Sequence, residues 1–265
     1  MSEHLKVAVV TPYYKERDEL LRRCLESVQA QTHPHVTHYM VADGFPRHDL
    51  LAEWPRVRHL PLPNGHANFG NTPRGIGALC ALADGMDFVC FLDADNLFLP
   101  DHAASVVQAW ARAAAAGHAL DAVFSSRYMF LPGHEHLRLV SPDDGPQLGF
   151  VDTNCISLAR SAAFMWGAWC NIPPPLASLC DRVMCWLMQH HRLRVSWTNQ
   201  FTVLYESNWK ATYLQAGLEP PSTGLHDSAL SQAGQGLTEE ELWSLLRVRW
   251  TFEGLGAPQP PKAAS

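Results

Sequence analysis

The stretch FVCFLDADN, residues 88–96, contains the features that decide the fold. Its apolar residues, 88–92, predict a short strand buried in the core, and two carboxylates and an amide follow directly. Like charges two residues apart raise the free energy of the folded chain unless a positive group lies close to both. Residues i and i+2 of a strand point to the same face, so Asp93 and Asp95 can reach one ion.

Two neighbouring carboxylates suit a hard divalent cation such as Mg²⁺ or Mn²⁺, which prefers octahedral oxygen ligands. Magnesium usually takes one or two protein carboxylates and completes its coordination shell with phosphate oxygens and water. The sequence therefore favours a metal site at Asp93 and Asp95 that also holds a pyrophosphate. The alternative is an ordinary strand-end turn, in which an aspartate caps the helix that follows.

Phosphatases of the haloacid dehalogenase type also use two aspartates at this spacing, the first of them as a nucleophile. In those enzymes a Thr or Val usually lies two residues after the second aspartate, whereas this chain has Leu97 there. The pair also lies well inside this chain rather than on its first strand. We therefore set this class aside.

Strands and helices alternate on both sides of this stretch. The sequence predicts strands at residues 5–10, 36–42, 57–62 and 88–92, and helices at residues 16–31, 72–83 and 101–116. This alternation predicts an α/β fold with a mostly parallel sheet and helices on both faces. In such sheets ligands bind at the carboxyl ends of the strands, where three polar clusters would converge on one crevice: Thr11-Pro12-Tyr13, Asp43-Gly44 and Asp93-Ala94-Asp95.

The second half of the chain is less regular. Strands are predicted at residues 121–130, 151–158 and 195–205, and helices at residues 177–190 and 209–216. Long Gly- and Pro-rich loops are predicted at residues 132–146, with a short strand at 137–140 as an alternative within the first, and at residues 217–236. Thr238 is expected to cap a terminal helix. We expect a single domain over residues 1–254 and a disordered tail over residues 255–265.

Composition limits the function. The chain has 265 residues and a net charge of −6, so a general affinity for nucleic acid is not expected. The seven cysteines are odd in number and form no CxxC pair, which predicts buried thiols in a reducing compartment. There is no signal-peptide pattern and no apolar stretch of membrane-spanning length, so we expect a cytoplasmic protein.

The motifs around the opening stretch resemble those of family 2 glycosyltransferases with the GT-A, Rossmann-like fold. The segment VAVVTPYYKERDELLRRCLESVQAQTHPHVTHYMVADG, residues 7–44, is similar to the opening of that family. NTPRGIGALCAL, residues 71–82, resembles the helix that precedes the family's metal motif, and FLDADN resembles the motif itself. The resemblance covers roughly residues 5–100. It implies a nucleotide-binding half, residues 1–100, and an acceptor-binding half, residues 101–254.

The resemblance also implies a nucleotide-sugar donor, with UDP favoured over GDP, and a role for each matching residue. Base and ribose would contact Thr11, Pro12 and Tyr13, with Tyr13 stacked on the base, and Glu16 and Asp43 would accept hydrogen bonds from ribose or base. Arg74 would approach the donor, Asp93 would contact ribose or metal-bound water, and Asp95 would bind Mn²⁺ or Mg²⁺.

An inverting transfer needs one carboxylate that removes the proton of the acceptor hydroxyl. The family places this base near the start of a helix in the second half, where SLCDRVMCWLMQ contains Asp181. In this family a glutamate often precedes the base, and here Cys180 takes its place. Asp152, in the segment FVDTN, is the alternative base. Asp181 also has an ordinary structural explanation, since an aspartate stabilises a helix N-terminus.

Two C-terminal residues complete the predicted site. His226 lies in a Gly- and Ser-rich segment and would be a third metal ligand, and Lys210 would contribute positive charge to a donor phosphate. The acceptor would be a glycan, a lipid-linked molecule or a small molecule, and a lipid carrier would be met by peripheral membrane contact.

Two other functions compete with a metal-dependent glycosyltransferase. A non-catalytic protein of the same fold would bind nucleotide or carbohydrate without turnover. A sugar nucleotidyltransferase would need a Gly-rich loop after the first strand, and residues 9–19, VVTPYYKERDE, contain no glycine.

Overall fold

The computed structural model describes residues 4–140 and 151–225. Within them one sheet contains all the strands: β1 (Val7–Tyr13), β2 (Val36–Asp43), β3 (Arg58–Leu62), β4 (Phe88–Phe91), β5 (Leu97–Phe98), β6 (Ala122–Leu131), β7 (His134–Leu139), β8 (Ile156–Ala159) and β9 (Val195–Glu206). The order across the sheet is β3-β2-β1-β4-β8-β6-β9-β5, and β7 pairs with β6.

Helices of very different lengths flank this sheet. They are α1 (Asp18–Gln29), α2 (His48–Ala52), α3 (Asn71–Ala83), α4 (His102–Ala115), α5 (Ala163–Trp166), α6 (Cys180–His190) and α7 (Lys210–Gln215). Short 3-10 segments lie at Thr153–Cys155, Arg160–Ala162, Ala168–Asn171 and Pro174–Leu179. The predicted α/β fold with flanking helices is confirmed, whereas α2, α5 and the two-residue β5 have no sequence prediction.

The sheet is mixed rather than mostly parallel. β1, β2, β3 and β4 pair in parallel, as expected for strands joined by helical crossovers. β8 then pairs antiparallel with both β4 and β6, and β9 returns parallel to β6. The regular strand–helix alternation on which the parallel prediction rests ends after α4, and antiparallel pairing begins with the strands beyond it.

One predicted boundary in the second half is wrong for a local reason. Residues 151–158 were expected to be extended, but the strand starts only at Ile156, after the 3-10 turn Thr153–Cys155. The side chain of Asp152 caps this turn by accepting a hydrogen bond from the Asn154 amide at 2.9 Å. This turn brings Asp152 and Asn154 to the end of the sheet where β4 also ends.

β1 continues through Tyr13 instead of ending at Val10, and every residue of it is buried. Thr11 is fully buried, and its hydroxyl lies 2.9 Å from Nε2 of His38 on β2. Thr11 is therefore part of the core, which is a correction to its predicted place in a nucleotide pocket.

The core is formed by the buried faces of the central strands and of the helices against them. All seven cysteines lie among the described residues and are free thiols, as predicted. Within residues 4–140 and 151–225, no helix is long and apolar enough to cross a lipid bilayer.

Helix α3 packs closely on β1 and β2 because Gly77 has no side chain. A Cβ at this position would lie 2.6 Å from a methyl of Val10 and 2.8 Å from a methyl of Val41. This close packing orients α3, whose first turns point toward the carboxyl ends of β1 and β4.

Gly77→Ala should destabilise the protein by a net value of about 1–2 kcal/mol, because overpacking outweighs the gain in helix propensity. Urea unfolding at equilibrium measures this change. The double variant Val10→Ala/Gly77→Ala is the control, since removing the valine methyls relieves the close contact. The double variant should lose less unfolding free energy than the sum of the losses of the two single variants. If the two losses simply add, the close contact between position 77 and Val10 is not the cause of the destabilisation.

Candidate functional site

A cleft of about 1250 Å³ lies at the carboxyl ends of β1, β2 and β4 and extends along the ends of β6 and β9. Both halves of the chain contribute to its lining. It contains most of the predicted site residues: Pro12, Tyr13, Glu16, Asp43, Arg74, Asp93, Asp95 and Asp181, together with the alternative base Asp152. The predicted convergence of the strand ends is therefore confirmed.

Two predicted residues that the structure describes do not line this cleft. Thr11 is in the core. Lys210 is exposed at the start of α7, and its neighbours Trp209 and Ala211 line the cleft in its place. His226 lies outside the described residues.

The two adjacent tyrosines at the end of β1 have opposite environments. The Tyr13 ring is buried, and its hydroxyl accepts a hydrogen bond from the Arg47 amide at 2.9 Å and lies 2.8 Å from His59 Nε2. This placement argues against the prediction that Tyr13 stacks on a base. Tyr14 is 42% exposed, lines the cleft and packs edge-on against Phe45. Strand alternation is the signal that predicts one tyrosine inside and one outside.

Asp43 holds the loop that follows β3. It is only 5% exposed, and its carboxylate accepts hydrogen bonds from the His66 amide at 3.1 and 3.2 Å. The His66 ring nitrogen Nδ1 lies 2.6 Å from the same carboxylate. Gly44 permits this approach, because its φ is +85° and a Cβ there would lie 2.4 Å from the Gly65 nitrogen. Sequence analysis missed His66, which lies far from Asp43 in the chain.

Arg74, on the first turns of α3, is paired with Asp93. It is 2% exposed, and its guanidinium donates to the Asp93 carboxylate at 2.5 Å and to Asn71 Oδ1 at 3.0 Å. The guanidinium carbon lies 4.9 Å from the centre of the Trp169 ring, a cation–π distance. Part of the negative charge of Asp93 is therefore already balanced by the protein.

Asp152 is paired in the same way on the other side of the cleft. Its carboxylate accepts a hydrogen bond from Arg127, and both side chains are buried. The Arg127 guanidinium lies 4.4 Å from the centre of the Tyr205 ring. Between the two pairs, the Asn154 amide group donates to Asp93 at 3.0 Å and to Asp152 at 2.8 Å. We call Arg74, Asp93, Asn154, Asp152 and Arg127 the charged row.

Asp95 and Asp181 are two cleft carboxylates that have no arginine partner among the described residues. Burial, and then the charges of Asp93 and Glu206, raise the pKa of Asp95 to about 7. Burial, and then the charge of Asp152, raise the pKa of Asp181 to about 7, although Asp181 accepts the Arg182 amide at 2.6 Å. Asp95 thus lies near Asp93, and Asp181 near Asp152. In each case the negative charge of the neighbour in the charged row makes the ionised form less favourable.

The surroundings of Asp95 are negative apart from Arg23. This arginine donates to the Asp95 backbone carbonyl at 2.9 Å and to the Glu206 carboxylate at 2.5 Å. The Glu206 amide in turn donates to Asn96 Oδ1 at 2.8 Å, which joins β9 to the turn after β4. Glu206 lines the cleft, and no sequence motif pointed to it.

The donor set near Asp95 fits a hard divalent cation. In the part of the chain that the structure describes, no side chain donates a hydrogen bond to the Asp95 carboxylate, and its neighbours Asp93 and Glu206 are acidic. A cation would relieve the repulsion that raises the pKa of Asp95. The described residues do not assemble three protein ligands, so such an ion would take most of its ligands from substrate and water.

Comparison with known proteins relates this chain to a family. Residues 8–159, more than half of the chain, match the model described as Glycosyl transferase family 2. The succinoglycan biosynthesis protein ExoW of Rhizobium meliloti (strain 1021) is 37% identical over 115 residues, which cover 40% of this chain and 34% of that protein. The alignment thus spans about a third of the length of this curated relative.

Solved structures have a fold similar to that of this chain. S. aureus TarS 1-349 in complex with UDP-GlcNAc has a TM-score of 0.61 and 14% identity, and the match covers 92% of this chain and 65% of that chain. TarS 1-349 in complex with UDP has a TM-score of 0.53 and 13% identity, with coverage of 92% and 78%. Identities this low establish similarity of fold alone.

The raised pKa of Asp181 predicts a pH-dependent stability. In the unfolded chain this carboxyl titrates near 3.8, and in the folded protein near 7. Its contribution to stability is therefore full below about pH 4 and is lost as the pH rises through 7. Asp181→Asn removes this pH dependence. The free energy of unfolding of the variant minus that of the wild type should therefore be about 1–2 kcal/mol larger at pH 8 than at pH 5, after allowance for solvent screening.

Urea unfolding of both proteins at the two pH values measures this gain. Asp121→Asn is the control, because the hydrogen bond from Arg194 lowers the pKa of Asp121 to about 2. Asp121 therefore titrates below this pH range, and its variant should differ from the wild type by the same amount at pH 5 and pH 8. If the difference in unfolding free energy between Asp181→Asn and the wild type were also the same at pH 5 and pH 8, a pKa of about 7 for Asp181 would be contradicted.

Proposed function

The chain belongs to glycosyl transferase family 2, and from this premise we propose that it is a metal-dependent, inverting glycosyltransferase. It would move a sugar from a nucleotide-sugar donor, UDP rather than GDP, to an acceptor hydroxyl. The observation that carries the proposal is the cleft itself, whose lining includes both Asp95, the proposed metal ligand, and Asp181, the proposed base. Similarity in fold to TarS structures with UDP-GlcNAc and UDP supports the choice of UDP.

The donor would lie against the ends of β1, β2 and β4. Pro12 and Glu16 line this part of the cleft, and Tyr14 replaces Tyr13 as the aromatic ring accessible to a base. Asp43 would act at the base both through its own carboxylate and through the loop that it holds by His66. Arg74 would add positive charge beside the donor, although its first partner is Asp93.

Asp95 would bind Mn²⁺ or Mg²⁺, and Asp93 would support the ion through water or contact the ribose. When bound, the cation would act as a Lewis acid that offsets the charge developing on the leaving nucleoside diphosphate. His226 remains the predicted third ligand, and Lys210 a predicted phosphate contact, although it does not line the cleft in this structure.

Asp181 is the better candidate for the catalytic base. Asp152 is tied to Arg127 and Asn154, and their hydrogen bonds already use most of its lone pairs. Asp181 lines the cleft at the first turn of α6 and has a pKa of about 7, which suits a base working near neutral pH. As the acceptor oxygen bonds to the anomeric carbon and the bond to the diphosphate breaks, the hydroxyl proton would move to Asp181.

The acceptor would lie between α6 and α7, where Tyr205, Trp209 and Arg182 line the cleft. Aromatic rings and a guanidinium group suit a glycan, a lipid-linked sugar or a small polar molecule. We propose that residues 1–100 and 101–254 work as donor and acceptor halves of one catalytic unit, and that a lipid-linked acceptor would be reached by peripheral contact with a membrane.

Thermal unfolding with UDP, GDP and CMP, each with and without Mn²⁺, tests the donor class. We expect the largest rise in Tm with UDP, and a smaller one when Mn²⁺ is omitted, because the ion links Asp95 to the diphosphate. A ligand at about 100 times its Kd adds about 2.7 kcal/mol of stability, which is readily detected. Equal shifts with all three nucleotides, or none, would contradict the proposed donor.

Asp181→Asn should lower kcat for transfer by about 10²–10⁴-fold, because the acceptor proton loses its base. The Kd for UDP with Mn²⁺ should stay the same. In the wild type, kcat should rise with pH through about 7 as Asp181 ionises. Release of UDP from a UDP-sugar in the presence of acceptor measures these rates.

Asp87→Asn is the matched control, since Asp87 accepts the Lys6 amide at 2.8 Å at the opposite end of the sheet. It should leave kcat unchanged. If Asp181→Asn retains full activity while Asp152→Asn abolishes it, the base is Asp152. UDP binding without turnover of any tested donor would instead favour a non-catalytic protein.

A further inference from the structure

The charged row crosses the floor of the cleft from the donor half to the acceptor half. It begins at Arg74 on α3, passes through Asp93 after β4 and Asn154 before β8, and ends at Arg127 on β6. An arginine lies at each end of the row, the two carboxylates lie inside them, and Asn154 is the neutral link between the carboxylates. Each terminal arginine also faces an aromatic ring, Trp169 at one end and Tyr205 at the other.

The hydrogen bonds of Asn154 define its orientation. Its Oδ1 accepts from the Asp93 backbone amide at 2.6 Å, and its Nδ2 donates to the carboxylates of Asp93 at 3.0 Å and Asp152 at 2.8 Å. Turning the amide over would place Oδ1 against two carboxylates and Nδ2 against an N–H, which loses all three bonds. Asn154 is 0% exposed, so water cannot replace any of them.

The turn that contains Asn154 does not need this side chain. Its closure comes from the Asp152 carboxylate accepting the Asn154 amide at 2.9 Å and from the Cys155 amide donating to the Asp152 carbonyl at 2.8 Å. The Asn154 side chain is used instead on Asp93, which lies 61 residues away in the chain. A purely local role would not require that contact.

We propose that Asn154 is a positioning residue that sets the Asp93 and Asp152 carboxylates together, and so aligns the donor and acceptor sides of the cleft. The inference rests on the proposed function, because it assigns those sides to the two substrates. Asn154 touches neither substrate. It acts through Asp93 beside the metal ligand Asp95, and through Asp152 beside the base Asp181.

Asn154→Ala tests this inference in the full chain. Loss of a side chain that orients groups next to a metal site typically costs 10–100-fold in metal affinity or activity. We expect losses of that size, about 10–100-fold, both in affinity for UDP with Mn²⁺ and in kcat for transfer. A purely structural role would lower Tm without changing the Kd and kcat of the folded fraction.

Ser157→Ala is the matched control. Ser157 is also fully buried and lies on β8, three residues further along, and its hydroxyl lies 3.2 Å from the Cys90 sulfur on β4, within hydrogen-bonding distance. The Ser157→Ala substitution removes a buried polar group between β4 and β8. The Ser157 hydroxyl makes no hydrogen bond to a cleft carboxylate among the described residues. We expect its Kd and kcat to stay within about twofold of the wild type, inside the usual range of a remote substitution.

A second readout does not depend on the function. The Asp93 amide proton is bonded to Asn154 Oδ1, so its hydrogen exchange, followed by NMR, should accelerate about tenfold in Asn154→Ala and not in Ser157→Ala. If the wild type neither binds UDP with Mn²⁺ nor uses a donor, the proposed function fails, and the exchange result still tests the role of Asn154 in holding Asp93.

Two outcomes would overturn the inference: Kd and kcat of Asn154→Ala within twofold of the wild type, or equal losses in Ser157→Ala. If Asn154→Ala does not fold, Asn154→Ser takes its place, because a hydroxyl can donate to only one of the two carboxylates. We then expect a smaller loss in the same two quantities, and unchanged values in this variant would equally overturn the proposal.

Discussion

The repulsion among the carboxylates gathered at one end of the sheet is the constraint on which the cleft depends. Asp93 and Asp152 are each paired with a buried arginine and joined through Asn154. Burying an ion pair brings little net stability, since desolvation offsets most of the attraction. The pairing instead leaves Asp95 and Asp181 as the carboxylates for which a cation or a proton is the natural partner. Burial, and then the same repulsion, raises the pKa of both carboxyls to about 7.

The fold supplies this arrangement through the ends of its strands. Parallel pairing of β1, β2 and β4 brings Pro12, Asp43 and Asp93 to the same edge. The antiparallel entry of β8 beside β4 then places Asp152 and Asn154 at that edge from the second half of the chain. A strictly parallel sheet would need another crossover helix at this point, so the mixed topology is what joins the two halves over one cleft.

Two residues show why similarity to a family does not by itself assign a contact. Tyr13 occupies the position of the family's base-stacking residue, yet its hydroxyl is bonded within the core and the adjacent Tyr14 faces the cleft. Asp43 lies where an acidic residue is expected, but His66 and its amide already use much of its carboxylate. In both places a neighbour in space decides which atoms a ligand can reach.

Sequence alone was enough to predict the α/β class, the longer elements of the first half to within a few residues, the convergence of the strand ends and the family resemblance. These depend on local periodicity and on motifs of contiguous residues, which a single chain displays directly. Only the tertiary structure decided that Thr11 is in the core, that Asp152 is tied to Arg127, and that Asn154 joins Asp93 to Asp152. Those facts depend on contacts between residues far apart in the chain, and the energy of a buried hydrogen bond or ion pair leaves no periodic trace in sequence.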